Sequence, residues 1–146
     1  MFEIRHLIKI NAAPTKVFEA ISTAEGIRHW WTDDVALDPK VGGAAEFGFY
    51  GHQFVIKGKI GSIFPGKSVE WSDLTSAPGA GFDGTTVTFD VRPEEAHSRL
   101  FFVQKGYKEM GDGYAGSTTR WGFYLISLKR YLETGVGSPN PNDADL

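Results

Sequence analysis

Four histidines are the side chains of this sequence best suited to metal binding or acid–base chemistry. They are His6, His29, His52 and His97. None belongs to a His-x-His or His-Glu-x-x-His pattern, the spacings that direct two imidazoles to one metal ion. The sequence therefore predicts no metal site and no cofactor, and a surface position is the default for each histidine.

A few charged residues interrupt otherwise apolar stretches: Glu46, Glu70, Asp90 and Arg120. An inward charge is costly unless it is paired, so such a residue marks either the polar end of a ligand or the wet face of its element. The wet face is the favoured interpretation for each. The chain contains no Gly-x-Ser-x-Gly elbow and no phosphate-binding glycine loop. We therefore predict no particular catalytic residue and favour a protein that is not an enzyme.

Aromatic residues make up 14% of the chain, which is a high share. So many rings must fill a core, line a pocket or cover an interface. The formal charge of −3 argues against nucleic acid as a partner. The absence of cysteine excludes disulfides and fits a cytoplasmic location, which we predict. Charges interrupt the first residues and no run of about 20 apolar residues occurs, so neither a signal peptide nor membrane insertion is expected.

Short strands, with few helices, must position these side chains. Alternating apolar residues predict a strand over residues 2–10, and Pro14 and Thr23 indicate the starts of two short helices. Further strands are predicted over residues 45–50, 54–64, 67–72, 85–92 and 98–107, with room for one more between 43 and 72. Residues 33–40 are interpreted as a polar connection.

One long amphipathic helix is predicted from near Ser117 to a C-terminal glycine at 135. The fold class is α+β: a curved antiparallel sheet of six or seven strands wrapped round that helix. A sheet this wide twists too strongly to stay flat, and one helix cannot fill its concave side, so we expect a cavity. The domain is predicted to cover residues 1–135, followed by a disordered tail over 136–146. The glycine-rich connections at 79–84 and 111–116 are interpreted as flaps over the cavity entrance.

Several local strings, in this order, resemble a known family. They are IKINAAPTKVFEAI (8–21), WW (30–31), VGG (41–43), VEW (69–71), RWGF (120–123) and YLETG (131–135). Together they resemble the START-like, or SRPBCC, superfamily with its helix-grip fold, and within it homologues of the activator of the ninety-kilodalton heat-shock chaperone ATPase. The resemblance covers residues 2–135.

The resemblance implies a small hydrophobic molecule as ligand, because members of this superfamily bind such molecules and a minority cyclise polyketides. A chaperone is the alternative partner, either for a monomer or for a homodimer. The eukaryotic activator has a separate N-terminal domain for chaperone binding, to which nothing here corresponds. Gln104 also stands where relatives often have a histidine, and a neutral amide cannot act as a general base near pH 7.

The expected cavity wall combines inward strand positions with the apolar stripe of the long helix. For single tryptophans, packing in the core competes with lining the cavity. The residues expected to bind the ligand are Trp30, Trp31, Phe47, Phe49, Phe54, Trp71, Phe89, Phe102, Gln104, Trp121 and Leu125. Hydroxyls from Tyr107, Tyr114 and Tyr124 are further candidates, and a polyketide cyclase-like enzyme is the least favoured function.

Overall fold

A computed structural model describes residues 1–78 and 80–146, and it contains one curved antiparallel sheet of seven strands. The strands are β1 (Phe2–Ile10), β2 (Asp34–Leu37), β3 (Ala44–Phe49), β4 (Phe54–Phe64), β5 (Ser68–Thr75), β6 (Thr86–Glu94) and β7 (His97–Tyr107). Their order across the sheet is β1-β7-β6-β5-β4-β3-β2. Strands β2 to β7 thus form a meander, and β1 pairs with β7 at the far edge. The predicted fold class is confirmed.

Three helices cover the concave side of the sheet: α1 (Pro14–Ser22), α2 (Ala24–Ile27) and α3 (Asp112–Thr134). The hydroxyl of Thr23 accepts a hydrogen bond from the Gly26 amide (3.0 Å), which confirms the predicted cap of α2. Gly135 ends α3 with a φ of +89°, and its amide donates to the Tyr131 carbonyl (2.8 Å). None of the described helices combines the length and apolarity that crossing a bilayer requires.

Two element boundaries differ from the sequence prediction. Residues 34–37, interpreted as part of a polar connection, form β2, an edge strand that pairs with β3. Pairing with β3 and burial of Val35 stabilise this strand, and a four-residue pattern predicts neither. Helix α3 begins at Asp112 and not near Ser117, so Gly113 and Gly116 lie inside it. Their weak helix propensity is overridden by tertiary structure.

In the structure, residues 136–146, for which the sequence predicts disorder, lie against the domain. The Asn140 amide donates to the Trp31 carbonyl (2.9 Å), and the Asn140 carbonyl accepts from the Asp33 amide (3.1 Å). Its side-chain oxygen accepts from the Tyr50 amide (3.0 Å). The segment contains no helix or named strand, but paired backbone and amide groups hold it in place without one.

The core lies where α1 meets the middle of the sheet. Helix α1 packs against β5, β6 and β7 and also touches α3, while α3 packs against β1. These contacts fill the concave side over the strands from β5 to β1. An unfilled space is left beside them, between β3, β4 and the N-terminal half of α3.

Candidate functional site

The unfilled space is a cavity of about 400 Å³, within the usual size range of small-molecule sites. Aromatic and aliphatic side chains dominate its lining: Trp31, Phe49, Phe54, Ile56, Phe82, Trp121 and Tyr124. The remaining lining residues are smaller or polar: Tyr50, Ala80, Asp112, Gly113, Gly116, Ser117 and Arg120. Tyr50, Asp112 and Arg120 are exposed to solvent and form the rim.

Trp31 is the centre of the aromatic wall. Its ring lies 5.0 Å from Trp121 at an interplanar angle of 28°, and 5.2 Å from Trp71 at 16°. Phe49 approaches it edge-on at 5.3 Å. These are the offset and edge-to-face geometries that aromatic rings favour. The rings of the wall therefore pack against one another, and the side of the wall that lines the cavity consists of flat aromatic faces and edges.

A buried polar network holds Trp121 in this wall. The Gln104 side-chain oxygen accepts hydrogen bonds from the Trp121 indole N–H and from the Tyr107 hydroxyl, both at 2.9 Å. The Gln104 amide nitrogen donates to the Thr85 hydroxyl (3.0 Å), which in turn donates to the Phe82 carbonyl (2.7 Å). Burial raises the pKa of the Tyr107 phenol, so this group remains a donor at neutral pH.

The predicted ligand-binding residues divide into two groups in the structure. The cavity is lined by Trp31, Phe49, Phe54 and Trp121. The others do not line it and lie in the packed interior behind the wall: Trp30, Phe47, Trp71, Phe89, Phe102, Gln104 and Leu125. Alternation along a strand identifies the inward face, but the side chains packed on that face, such as Trp31 on Phe47 (4.6 Å), decide which inward residues are covered.

The residues expected to bind the ligand did not include Tyr50 and Phe82, two of the aromatic lining residues. Tyr50 has a φ of +54°, a left-handed conformation that a strand pattern does not reveal. Phe82 is largely buried although its neighbours are glycine and aspartate. A single large apolar residue inside a small-residue loop was the available signal. Ala80 and Phe82, from the glycine-rich connection 79–84, line the cavity, and Gly79 lies outside the described residues.

Arg120 is the interrupting charge that reaches the cavity. Glu46 lies near Lys57 (3.6 Å) and His52 (3.5 Å), and Asp90 pairs with Arg92 (3.0 Å), all on partly exposed side chains. The hydrogen bond that His52 Nδ1 donates to the Asp34 carboxylate (2.6 Å) raises the pKa of His52 above its ordinary value. These pairs are surface contacts, as the favoured interpretation expected.

The remaining histidines also lie away from the cavity. His29 stacks on Tyr131 at 4.5 Å, and His97 contacts the Asn11 side chain at 3.0 Å. Burial lowers the pKa of His6, which lies close to Gly122 of α3. In residues 1–78 and 80–146, no three histidine, aspartate or glutamate side chains are grouped as metal ligands.

The C-terminal segment reaches the rim through Tyr124. The Tyr124 hydroxyl donates to the Asp143 carboxylate, which also accepts from the Asn140 side-chain amide (3.1 Å). Burial, and then this bond to Asp143, raises the pKa of the Tyr124 phenol far above its usual range, and Arg120 weakly opposes the rise. Tyr124 is thus held as a neutral donor whose partner is already supplied by the chain.

Known proteins share this fold and part of this sequence. The solution structure of the Aha1 dimer from Colwellia psychrerythraea has a TM-score of 0.82 at 31% identity, covering 94% of this chain and all 100% of that one. A crystal structure of a Mesorhizobium loti protein has a TM-score of 0.80 at 20% identity, covering 90% and 97%. CalU16 from Micromonospora echinospora has a TM-score of 0.72 at 15% identity, covering 91% and 77%. The last two are similar in fold alone.

The family assignment rests on the sequence match as well as on the fold. A comparison with curated protein sequences found no match. Residues 11–133 match the family described as activator of Hsp90 ATPase homolog 1-like protein. Because this match spans most of the chain, the protein belongs to the activator of Hsp90 ATPase homolog 1-like family, within the START-like, or SRPBCC, superfamily.

Proposed function

We propose that the protein binds a small hydrophobic molecule in the cavity between β3, β4 and α3. The observation that carries the proposal is the lining: among the described residues, aromatic rings form most of the interior, and the charged residues lie at the rim. Binding pockets combine such apolar walls with a few polar groups that orient the ligand. Flat rings on the wall favour a planar ligand. The absence of cysteine supports the cytoplasm as its location.

Ligand binding can be measured through the protein's own tryptophans. Trp31 and Trp121 line the cavity, so a bound molecule should quench or shift their fluorescence. Thermal denaturation in the presence of planar hydrophobic compounds gives a second readout. A ligand at a hundred times its Kd stabilises the native state by about 2.7 kcal/mol. For a chain of this length, that raises Tm by roughly 8 °C.

A blocking variant locates the binding site. Ala80→Trp places an indole at the cavity lip and should weaken binding, whereas Ala77→Trp adds the same group to the same loop on an exposed residue outside the cavity. Both variants should fold alike, because neither residue is buried. The proposal fails if no planar apolar compound changes fluorescence or Tm. It also fails if Ala77→Trp weakens binding as much as Ala80→Trp does.

A second candidate function is stimulation of a chaperone ATPase. The family match and the similarity to an Aha1 protein support it. Adding the purified protein to the bacterial form of the Hsp90 chaperone should then raise the rate of ATP hydrolysis. Unchanged turnover at saturating protein would exclude this role. Because the Colwellia protein is a dimer, light scattering should accompany the assay to establish whether this chain also self-associates.

A further inference from the structure

The rim of the cavity is electrostatically uneven. Behind it, the wall consists of aromatic and aliphatic side chains, while Tyr50, Asp112 and Arg120 are exposed at the opening. A ligand that fills the cavity must therefore bury its apolar part against the rings and leave any polar group at these three residues. The class of ligand therefore depends on which charged group of a ligand can lie beside these rim residues.

The Arg120 side chain is directed toward the opening. It bends back along α3 so that a methyl group built on Gly116 would lie 3.0 Å from Nη1 and 3.7 Å from Cζ. Gly116 itself lines the cavity, so the missing side chain at 116 makes room for the guanidinium there. Arg120 also lies near enough to Tyr124, a second lining residue, to oppose the rise in its pKa. Both neighbours place the guanidinium at the cavity.

The guanidinium of Arg120 is not neutralised by the described residues. Within residues 1–78 and 80–146, no carboxylate oxygen lies within 4.0 Å of its nitrogens. Asp143, which reaches the same rim, already accepts hydrogen bonds from Tyr124 and Asn140. The planar fork of an arginine matches a carboxylate or sulfonate in two parallel hydrogen bonds. Arg120 therefore has unused capacity for an anion.

Asp112 does not compete for the same role. It lies in the first turn of α3, where the free backbone amides and the helix dipole stabilise a negative charge. The helix thus stabilises this charge in part, whereas no described carboxylate pairs with Arg120. Arg120 is thus the lining residue that can pair with an anion.

We propose that the cavity binds planar aromatic acids, with the ring system against Trp31 and Trp121 and the carboxylate or sulfonate on the Arg120 guanidinium. This rests on the proposed ligand-binding function and adds the ligand class to it. The apolar interior supplies most of the affinity, and Arg120 orients the molecule with its acid toward solvent.

Two fluorescent probes of nearly the same shape test this inference. 1-Anilinonaphthalene-8-sulfonate is an aromatic acid with a planar naphthalene ring system, and N-phenyl-1-naphthylamine is the same skeleton without the sulfonate. Arg120→Gln should weaken binding of the sulfonate about fivefold, a modest factor because the guanidinium is solvent-exposed. Binding of the neutral probe should change less than twofold. Arg130→Gln is the matched control, since Arg130 is also exposed on α3 but does not line the cavity.

Salt and site-blocking controls complete the experiment. Raising the salt concentration should weaken sulfonate binding to the wild type but hardly affect binding to Arg120→Gln. Ala80→Trp should weaken both probes, which places them in the cavity and not on a general apolar surface. Arg120→Lys should restore part of the sulfonate affinity.

The possible results separate the two proposals. If both probes bind and Ala80→Trp weakens both, but Arg120→Gln affects neither, the aromatic-acid inference is overturned and the ligand-binding function stands. Equal losses in Arg120→Gln and Arg130→Gln overturn it as well, because net charge and not the site would be responsible. If neither probe binds the wild type, or Ala80→Trp has no effect, the ligand-binding function itself is contradicted for these molecules.

Discussion

Replacing Gln104 with leucine should destabilise the protein far more than its uncharged side chain suggests. Gln104 is fully buried, and its oxygen is the acceptor for the Trp121 indole N–H and the Tyr107 hydroxyl. Leucine has a similar volume and fills the space, but it leaves both donors without an acceptor. Each unsatisfied buried donor costs about 1–3 kcal/mol. Allowing some relaxation of the Tyr107 hydroxyl, we expect a total loss of about 3 kcal/mol.

Chemical and thermal denaturation provide the measurement. A loss of 3 kcal/mol corresponds to a fall in Tm of roughly 9 °C for a protein of this length. Gln53→Leu is the control, because Gln53 lies exposed in the turn between β3 and β4 and makes no side-chain hydrogen bond among the described residues. That change should alter stability by less than about 0.5 kcal/mol.

A double-mutant cycle attributes the effect to the hydrogen bonds. In a Tyr107→Phe background one donor is already absent, so Gln104→Leu should cost about 1 kcal/mol less than in the wild type. The near-ultraviolet circular dichroism of Gln104→Leu should also change, since Trp121 loses the bond that fixes its ring. Equal costs in both backgrounds would refute the network argument. So would a Gln104→Leu protein as stable as Gln53→Leu.

Three further predictions follow from contacts outside this network. Trp30→Phe should cost at least about 1 kcal/mol more than Trp71→Phe in denaturant unfolding, because Trp30 donates to the α1 backbone (2.7 Å), whereas the Trp71 N–H is unpaired among the described residues. Asn140→Ala should lower stability by about 2 kcal/mol in the same assay, since its side chain accepts from a backbone amide at the rim. Asp34→Asn should lower the pKa of His52 toward 6.5 in an NMR titration. In the wild type, this pair stabilises the fold below pH 6.5, and the contribution is lost as pH rises through the raised folded-state pKa of the histidine.

The strands were predictable because apolar residues alternate with polar ones wherever one face of a strand is buried. Val87, Phe89 and Val91 are buried at every second position of β6, as the pattern predicts. The long α3 helix was predictable from its apolar stripe, and its end from Gly135. In these segments the local signal and the tertiary environment agree.

The differences occur where tertiary partners decide the structure. Strand β2 exists through its pairing with β3, and the C-terminal segment is held by Asn140, a residue whose type usually indicates a turn. The start of α3 at Asp112 places Gly113 and Gly116 in a helix. Both glycines line the cavity, and a side chain at 116 would contact the Arg120 guanidinium. A local pattern of sequence cannot reveal these partners.

The cavity itself illustrates why inward residues cannot be divided into wall and filling by residue type. Phe49 lines the cavity and Phe89 does not, although both are aromatic residues on inward strand faces. Phe89 is covered because the rings of Trp30 and Trp121 pack edge-on against it, at 6.0 and 6.2 Å. The role of Gln104, a buried polar residue, also depends on its tertiary partners. Gln104 was among the residues expected to bind the ligand, whereas in the structure three side-chain partners engage both of its polar atoms, and one of these bonds fixes Trp121 in the wall. The inward polar residue thus holds a wall residue of the cavity in place, and Arg120, on the helix that lines the cavity, is the residue to which we assign the proposed selectivity.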